Sequence, residues 1–142
     1  MYLPCDMFHI CRKVQACVGM VMKNYGISIA EVPFFIALSE RDGATQEELT
    51  SLVGVDKALT ARTVQSLERK GFVRKEHDVQ DRRVNHIYKT QKAEEHLGAI
   101  SADLHKLNLI FTAGLEKSDM EHLTQTLSVI ESNISNHLAR QR

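Results

Sequence analysis

The sequence predicts a mainly helical α+β fold, with six helices and one two-stranded hairpin. Three observations predict it. Apolar residues recur at helical spacing over most of the chain. Two short helices between residues 45 and 70 start on capping residues and are split by Gly54. After Gly71 the period changes to short runs with β-branched and aromatic residues around a polar tip.

Helix 1 is expected from Asp6 to Asn24, where Phe8, Cys11, Val14, Val18, Val21 and Tyr25 mark one stripe and Gly26 ends it. Helix 2 is expected to open at Ser28, with Glu31 completing a capping box, so that Pro33 falls about one turn inside and bends its start. Asp42-Gly43 reads as a turn. Thr45 opens helix 3, again with a capping box through Glu48, and Leu49, Leu52 and Val53 form its buried stripe. Asp56 caps helix 4, which runs to Lys70, and Gly71 is its C′ residue. Two short helices around a glycine turn are a helix-turn-helix signature.

Phe72 to Arg74 reads as one strand and Val84 to Lys89 as its partner, with a charged tip between them. Helix 5 carries Leu97, Ile100, Leu104, Leu107 and Phe111 at steps of 3 and 4. After Gly114, Ser118 and Glu121 form a capping box for helix 6, whose Met120, Leu123, Leu127, Ile130 and Ile134 repeat that spacing. Such seams suit helix-to-helix packing, here expected across a subunit boundary.

At 142 residues the chain accommodates one domain with appended helices and a hydrophobic core that needs no staples. Only two prolines and seven glycines argue against long disordered linkers. Charge-free runs reach only about half of the roughly twenty apolar residues a membrane span needs, so no membrane association is expected. Arg12 and Lys13 interrupt the apolar stretch near the N-terminus, which argues against a signal peptide. A cytoplasmic protein is the expectation. Cys5, Cys11 and Cys17 are odd in number and too far apart along one helix to bridge, which fits reduced thiols.

Net charge is zero, but it is unevenly spread. Asp56 to Lys92 holds ten Lys and Arg against five Asp and Glu, and the remainder holds eight against thirteen. A basic segment beside an acidic remainder fits a nucleic-acid reader with a second task.

Helix 4 sharpens this expectation. On a wheel of about 100° per residue, Thr60, Val64 and Leu67 share the core face. Ala58, Arg62, Gln65, Ser66 and Arg69 lie opposite. Small and polar residues with arginines suit a major groove roughly 12 Å wide. Ala58 and Ala61 let the backbone approach, Leu59 can meet a thymine methyl, and Arg62 can bond guanine through two donors or clamp a phosphate. At the hairpin tip, Asp81-Arg82-Arg83 suits a narrow minor groove, and Asp81 can orient one arginine.

The stretch GATQEELTSLVGVDKALTARTVQSLERKGFVRKEHDVQDRRVNHIYKT resembles the MarR family of winged helix-turn-helix regulators. The resemblance rests on the ordered set TQEEL, VDK, TARTVQSLERKG, FVRKE and DRR, over about a third of the chain. It implies a helix-mediated homodimer on double-stranded DNA, with residues 1–27 and 91–142 forming the dimerisation region and 28–90 the winged domain. It implies DNA contacts from Lys57, Ala58, Leu59, Ala61, Arg62, Thr63 and Ser66 in the major groove, and from Asp81, Arg82 and Arg83 in the minor groove. It further implies a repressor of a pseudo-palindromic operator, released by a small aromatic ligand or an oxidant. Lys89 and Ala93 depart from the family's usual leucine and glycine, and Pro33 stands three positions later in helix 2 than the family's proline.

Cys5 is the redox candidate, because His9 follows at i+4 and can stabilise a thiolate. Against this, free cysteines are commonly small buried apolar residues. The histidines lack paired metal spacing, so no metal and no cofactor are expected. Catalysis is not expected either, since no third group supports the Cys5–His9 pair. The alternative function is a winged-helix protein adaptor without DNA affinity, against which Arg62, Arg82 and Arg83 argue.

Overall fold

Residues 2–141 are described by a computed structural model. Among them, six helices and three short strands follow in the order α1 (Leu3–Lys23), α2 (Val32–Glu40), β1 (Ala44–Thr45), α3 (Gln46–Val53), α4 (Lys57–Arg69), β2 (Val73–His77), β3 (Asn85–Lys89), α5 (Gln91–Phe111) and α6 (Lys117–Ala139). The chain divides into two compact units, Met1–Leu107 and Asn108–Arg142.

The core of the first unit is built where apolar stripes of its helices meet the sheet. Phe34, Phe35 and Leu38 of α2, Leu49 of α3, and Val64 and Leu67 of α4 are buried together with Phe72 and Ile87. Phe35 and Phe72 meet edge to face, with centroids 5.8 Å apart, the arrangement favoured by the ring quadrupoles. Each such side chain, fully buried, contributes about 1.5–3 kcal/mol. Met22 and Ile27 extend the core under the end of α1, and Ala93 and Ile100 extend it along α5. Tyr25 fixes α1 to α5 by donating its hydroxyl to Asp103 Oδ2 at 2.6 Å.

The caps of α3 and α4 form as the sequence predicts. Thr45 Oγ1 accepts from the Glu48 N–H at 3.1 Å, and Glu48 Oε2 accepts from the Thr45 N–H at 2.8 Å. Gly54 ends α3 in the left-handed region, at φ 73°. Asp56 Oδ1 accepts from the Leu59 N–H at 2.7 Å. At the other end of α4, the Gly71 and Phe72 N–H groups close on the Glu68 and Leu67 carbonyls. Two termini differ from the expected ones. α2 begins at Val32, not Ser28, so Pro33 lies at the start of the helix, where its missing N–H costs nothing. Pro33 therefore does not lie a turn inside the helix, and its expected displacement along helix 2 is absent. Glu31 still accepts from the Ser28 N–H, but across the turn that precedes the helix. α6 is capped by Glu116 with Asp119, not by Ser118 with Glu121, because the extended backbone runs as far as Glu116.

The sheet has three strands in the order β1-β3-β2, all antiparallel, where the sequence predicts two. β1 spans only Ala44 and Thr45, too few residues to show an alternation. It pairs with Ile87 and His86 of β3, while β2 pairs from Val73 opposite Lys89 to His77 opposite Asn85. β2 thus runs further towards the tip than its apolar run indicates, while β3 starts at Asn85, one residue later than the expected Val84.

α6 buries none of its residues. Leu123, Leu127 and Ile134 of its apolar seam are all exposed, as are Phe8, Ile10 and Met20 on α1.

Candidate nucleic-acid interface

α4 is held from below and lined above with polar groups. Thr60, Thr63, Val64 and Leu67 face the core, and the Thr60 hydroxyl meets that of Thr50 at 2.9 Å across the α3–α4 turn. Lys57, Ala58, Arg62, Gln65 and Arg69 are exposed, and Leu59 and Ala61 are half-buried. Thr63 is only 5% exposed. It lies next to Val64 on the inner side of the helix, with little of its side chain open to solvent.

Ser66 is half-buried, and its hydroxyl is engaged within the fold. Its hydroxyl donates to Glu31 Oε1 at 2.6 Å. Lys70 Nζ donates to Glu31 Oε2 at 2.7 Å, and the Ser28 N–H donates to the same oxygen at 2.7 Å. Glu31 is 2% exposed, so its charge is sustained only by these donors. Burial pushes its carboxyl up, but the bonds from Lys70, Ser66 and Ser28 together outweigh burial and hold it below the ordinary range. From local sequence alone, Glu31 reads only as a cap. Ser66 and Lys70, four residues apart on one side of α4, were the available sign of a shared acceptor.

The C-terminal end of α4 is tied to the segment after the wing. Lys92 donates its ammonium to the Lys70 carbonyl at 2.7 Å and stands 4.5 Å from the centroid of the Phe72 ring. Thr90 donates its hydroxyl to the Gly71 carbonyl. The joint between wing and α5 is well formed despite its departures from the family pattern: Lys89 pairs with Glu94 at 2.9 Å, and Ala93 is fully buried.

The wing tip is a hydrogen-bonded turn. Asp78 Oδ1 accepts from the N–H groups of Gln80 at 2.8 Å and Asp81 at 3.0 Å. The Asp81 N–H, then His86, then the Gln80 N–H pull the Asp78 carboxyl down to about 2. Asp81 grips Arg83 through Nε and one terminal nitrogen, both at 3.1 Å. That bond to Arg83, side chain and then backbone, holds the Asp81 carboxyl below its usual range. Arg82 is exposed and has no carboxylate partner among the described residues. Of the two arginines, Asp81 therefore orients Arg83 and leaves Arg82 to solvent.

Lys57 at the start of α4 and Arg83 of the wing line one open groove of about 420 Å³. Thr45, Gln46 and Thr50 of the α3 region and Asn85 of β3 line it too. The first turn of α4, the start of α3 and the wing thus border a common concavity that carries two cations and the Glu47 carboxylate, which stands 3.8 Å from Lys57. A groove of this kind can take a phosphate backbone while the flanking elements enter the adjacent grooves of a duplex.

Cys5 and Cys11 are exposed and Cys17 is half-buried, so the first two are not the packed apolar residues that free cysteines commonly are. Cys5 and His9 both lie on α1.

Residues 28–84 match the family described as the MarR family. The chain carries a MarR-family domain. The matched segment runs from the turn before α2 to the end of the wing. The chain is 21% identical over 125 residues to the HTH-type transcriptional regulator YybA of Bacillus subtilis, covering 88% of this chain and 83% of that protein. Its fold is similar to that of a MarR transcriptional regulator from Methanosarcina mazei Go1, at TM-score 0.87 and 24% identity, over 95% of this chain and 97% of that one. It is also similar to a MarR family transcriptional regulator from Listeria monocytogenes complexed with 26mer DNA, at TM-score 0.86 and 19% identity, over 93% and 88% of the two chains. The six helices and small sheet are those of the MarR winged-helix fold.

Proposed function

We propose that this MarR-family chain is a transcriptional regulator that binds double-stranded DNA as a homodimer and represses from a pseudo-palindromic site. The observation that carries the reading is the groove shared by Lys57 and Arg83, flanked by exposed Arg62 on α4 and exposed Arg82 on the wing. α4 enters the major groove with Lys57, Ala58, Leu59, Ala61 and Arg62, and the wing enters the minor groove with Arg82 and Arg83. Asp81 acts through Arg83 rather than on DNA itself. Residues 28–90 form the reading domain.

Residues 1–27 and 91–142 supply the dimer. The exposed leucines and isoleucine of α6 and the exposed apolar residues of α1 support this, because apolar surface left in water favours association. A small aromatic ligand bound between the two regions, or oxidation at exposed Cys5, relieves repression in this reading. No helix among the described residues is long and apolar enough to cross a membrane, and the proposed work is in the cytoplasm.

The test is binding to duplex DNA across a salt series. A dimer that neutralises roughly six to ten phosphates loses about 10³- to 10⁵-fold in affinity between 50 and 200 mM salt. A flat response would remove the electrostatic contact on which the reading depends.

A further inference from the structure

Both ring nitrogens of His86 face oxygen acceptors. Nδ1 stands 2.9 Å from the Gly43 carbonyl oxygen, and Nε2 stands 3.0 Å from Asp78 Oδ2. A carbonyl oxygen can only accept, and Asp78 is ionised. A neutral imidazole has one donor and one lone pair, so it can satisfy only one of the two contacts. The imidazolium satisfies both. The two acceptors belong to different elements. Gly43 immediately precedes β1 and α3, and Asp78 organises the turn that carries Asp81, Arg82 and Arg83.

We propose that His86 is a proton-operated latch on the wing: as the imidazolium it ties the wing-tip turn to the start of β1, and loss of one proton releases that turn. The proposal rests on the DNA-binding reading above and adds a regulation to it. An ordered tip presents Arg82 and Arg83 without the entropy cost of fixing them on contact. Above the imidazole's titration range the tip is looser, and DNA affinity falls.

The charges around the ring agree in sign. Asp78 from the turn and Glu48 from α3 both favour the imidazolium. Glu76 of β2 lies opposite His86 in register and is paired with Arg74, while Glu48 is paired with Arg41. The Tyr88 ring lies beside the imidazole, tilted by 37° with centroids 6.3 Å apart. The Gly43 carbonyl first, and Asp78 next, hold the imidazole above its ordinary 6.5. A group whose value rises on folding stabilises below its unfolded value and ceases to as pH climbs through the folded one. The latch is therefore closed below 6.5 and opens as pH rises past the folded value.

The test is an NMR titration of the full chain, with DNA affinity measured in parallel from about pH 6 to about pH 8.5. At the acid end, both His86 ring nitrogens are expected to be protonated. The Gln80 and Asp81 amides should shift with the ring's own midpoint, which lies above 6.5. DNA affinity should fall about threefold or more over the range. The fall should persist in His77→Gln, on the neighbouring strand, and vanish in His86→Gln. If His86→Gln does not fold, Asp78→Asn should lower the ring midpoint. A neutral ring at the acid end, amides that ignore the ring, or an unchanged pH response in His86→Gln would each overturn the latch. Absence of DNA binding at every pH would sink the regulator reading, while the ring and amide titrations would still decide the latch.

Discussion

Ser66 gives its hydroxyl to the buried carboxylate of Glu31 at 2.6 Å, not to the outer face of the helix that carries it. With Lys70 on the other carboxylate oxygen, α4 is bolted to the turn before α2 at two points one helical turn apart. The residues that look outward beside them, Arg62 and Arg69, are thereby set in rotation about the helix axis.

Breaking this bolt should cost stability. Lys70→Ala leaves the Glu31 carboxylate buried with fewer donors and should destabilise the fold by about 1–2 kcal/mol, towards the low end of charged hydrogen bonds because Lys70 is partly exposed. Urea denaturation measures it. Glu31 titrates below its ordinary 4.5, so its contribution is present above that value and is lost as pH falls through the folded one. The deficit of Lys70→Ala should therefore shrink in acid. An equal deficit at all pH values would assign the loss to packing.

Arg62→Ala should weaken binding to a selected DNA site by about 1–3 kcal/mol and relax sequence choice at one position if the guanidinium reads a base. Fluorescence anisotropy on a set of single-base variants of that site checks this. A uniform loss across all variants would move Arg62 to the phosphates.

Arg82→Ala should reduce the slope of log affinity against log salt by about one, with base preference unchanged. Arg83→Ala should behave alike but also release Asp81. An unchanged slope in the Arg82 variant would place that side chain outside the DNA contact.

Gly43→Ala should destabilise by about 1–3 kcal/mol through backbone strain alone, since φ is 78° there. The added Cβ would also meet Tyr88 Cε1 at 2.6 Å. Denaturant midpoints of Gly43→Ala with and without Tyr88→Ala separate the two causes: the second change should recover only the steric part. Wild-type stability in the single variant would refute the close approach.

The winged fold is legible in the sequence where the signals are local. The Thr45–Glu48 box, the Asp56 cap and Gly71 each act within three or four residues of chain, and each forms as the pattern implies. Arg62 is outward because the wheel that buries Val64 and Leu67 leaves it no other place. The long-range contacts were not legible. β1 has two residues and no period of its own. Glu31 and Ser66 are separated by 35 positions, and His86 and Gly43 by 43, so nothing in either neighbourhood declares the partner. The burial of Thr63 was hidden for a related reason: a threonine is as acceptable beside a core as beside a phosphate, and only packing decides between them.

Hydroxyl-radical footprinting on a site selected from random duplex DNA tests the two-groove surface most directly. The account predicts two symmetric protected half-sites about one helical turn apart. Each should carry a minor-groove protection that disappears in the double variant Arg82→Ala, Arg83→Ala while the major-groove preference survives. A single unpaired footprint, or a minor-groove protection indifferent to both arginines, would contradict it.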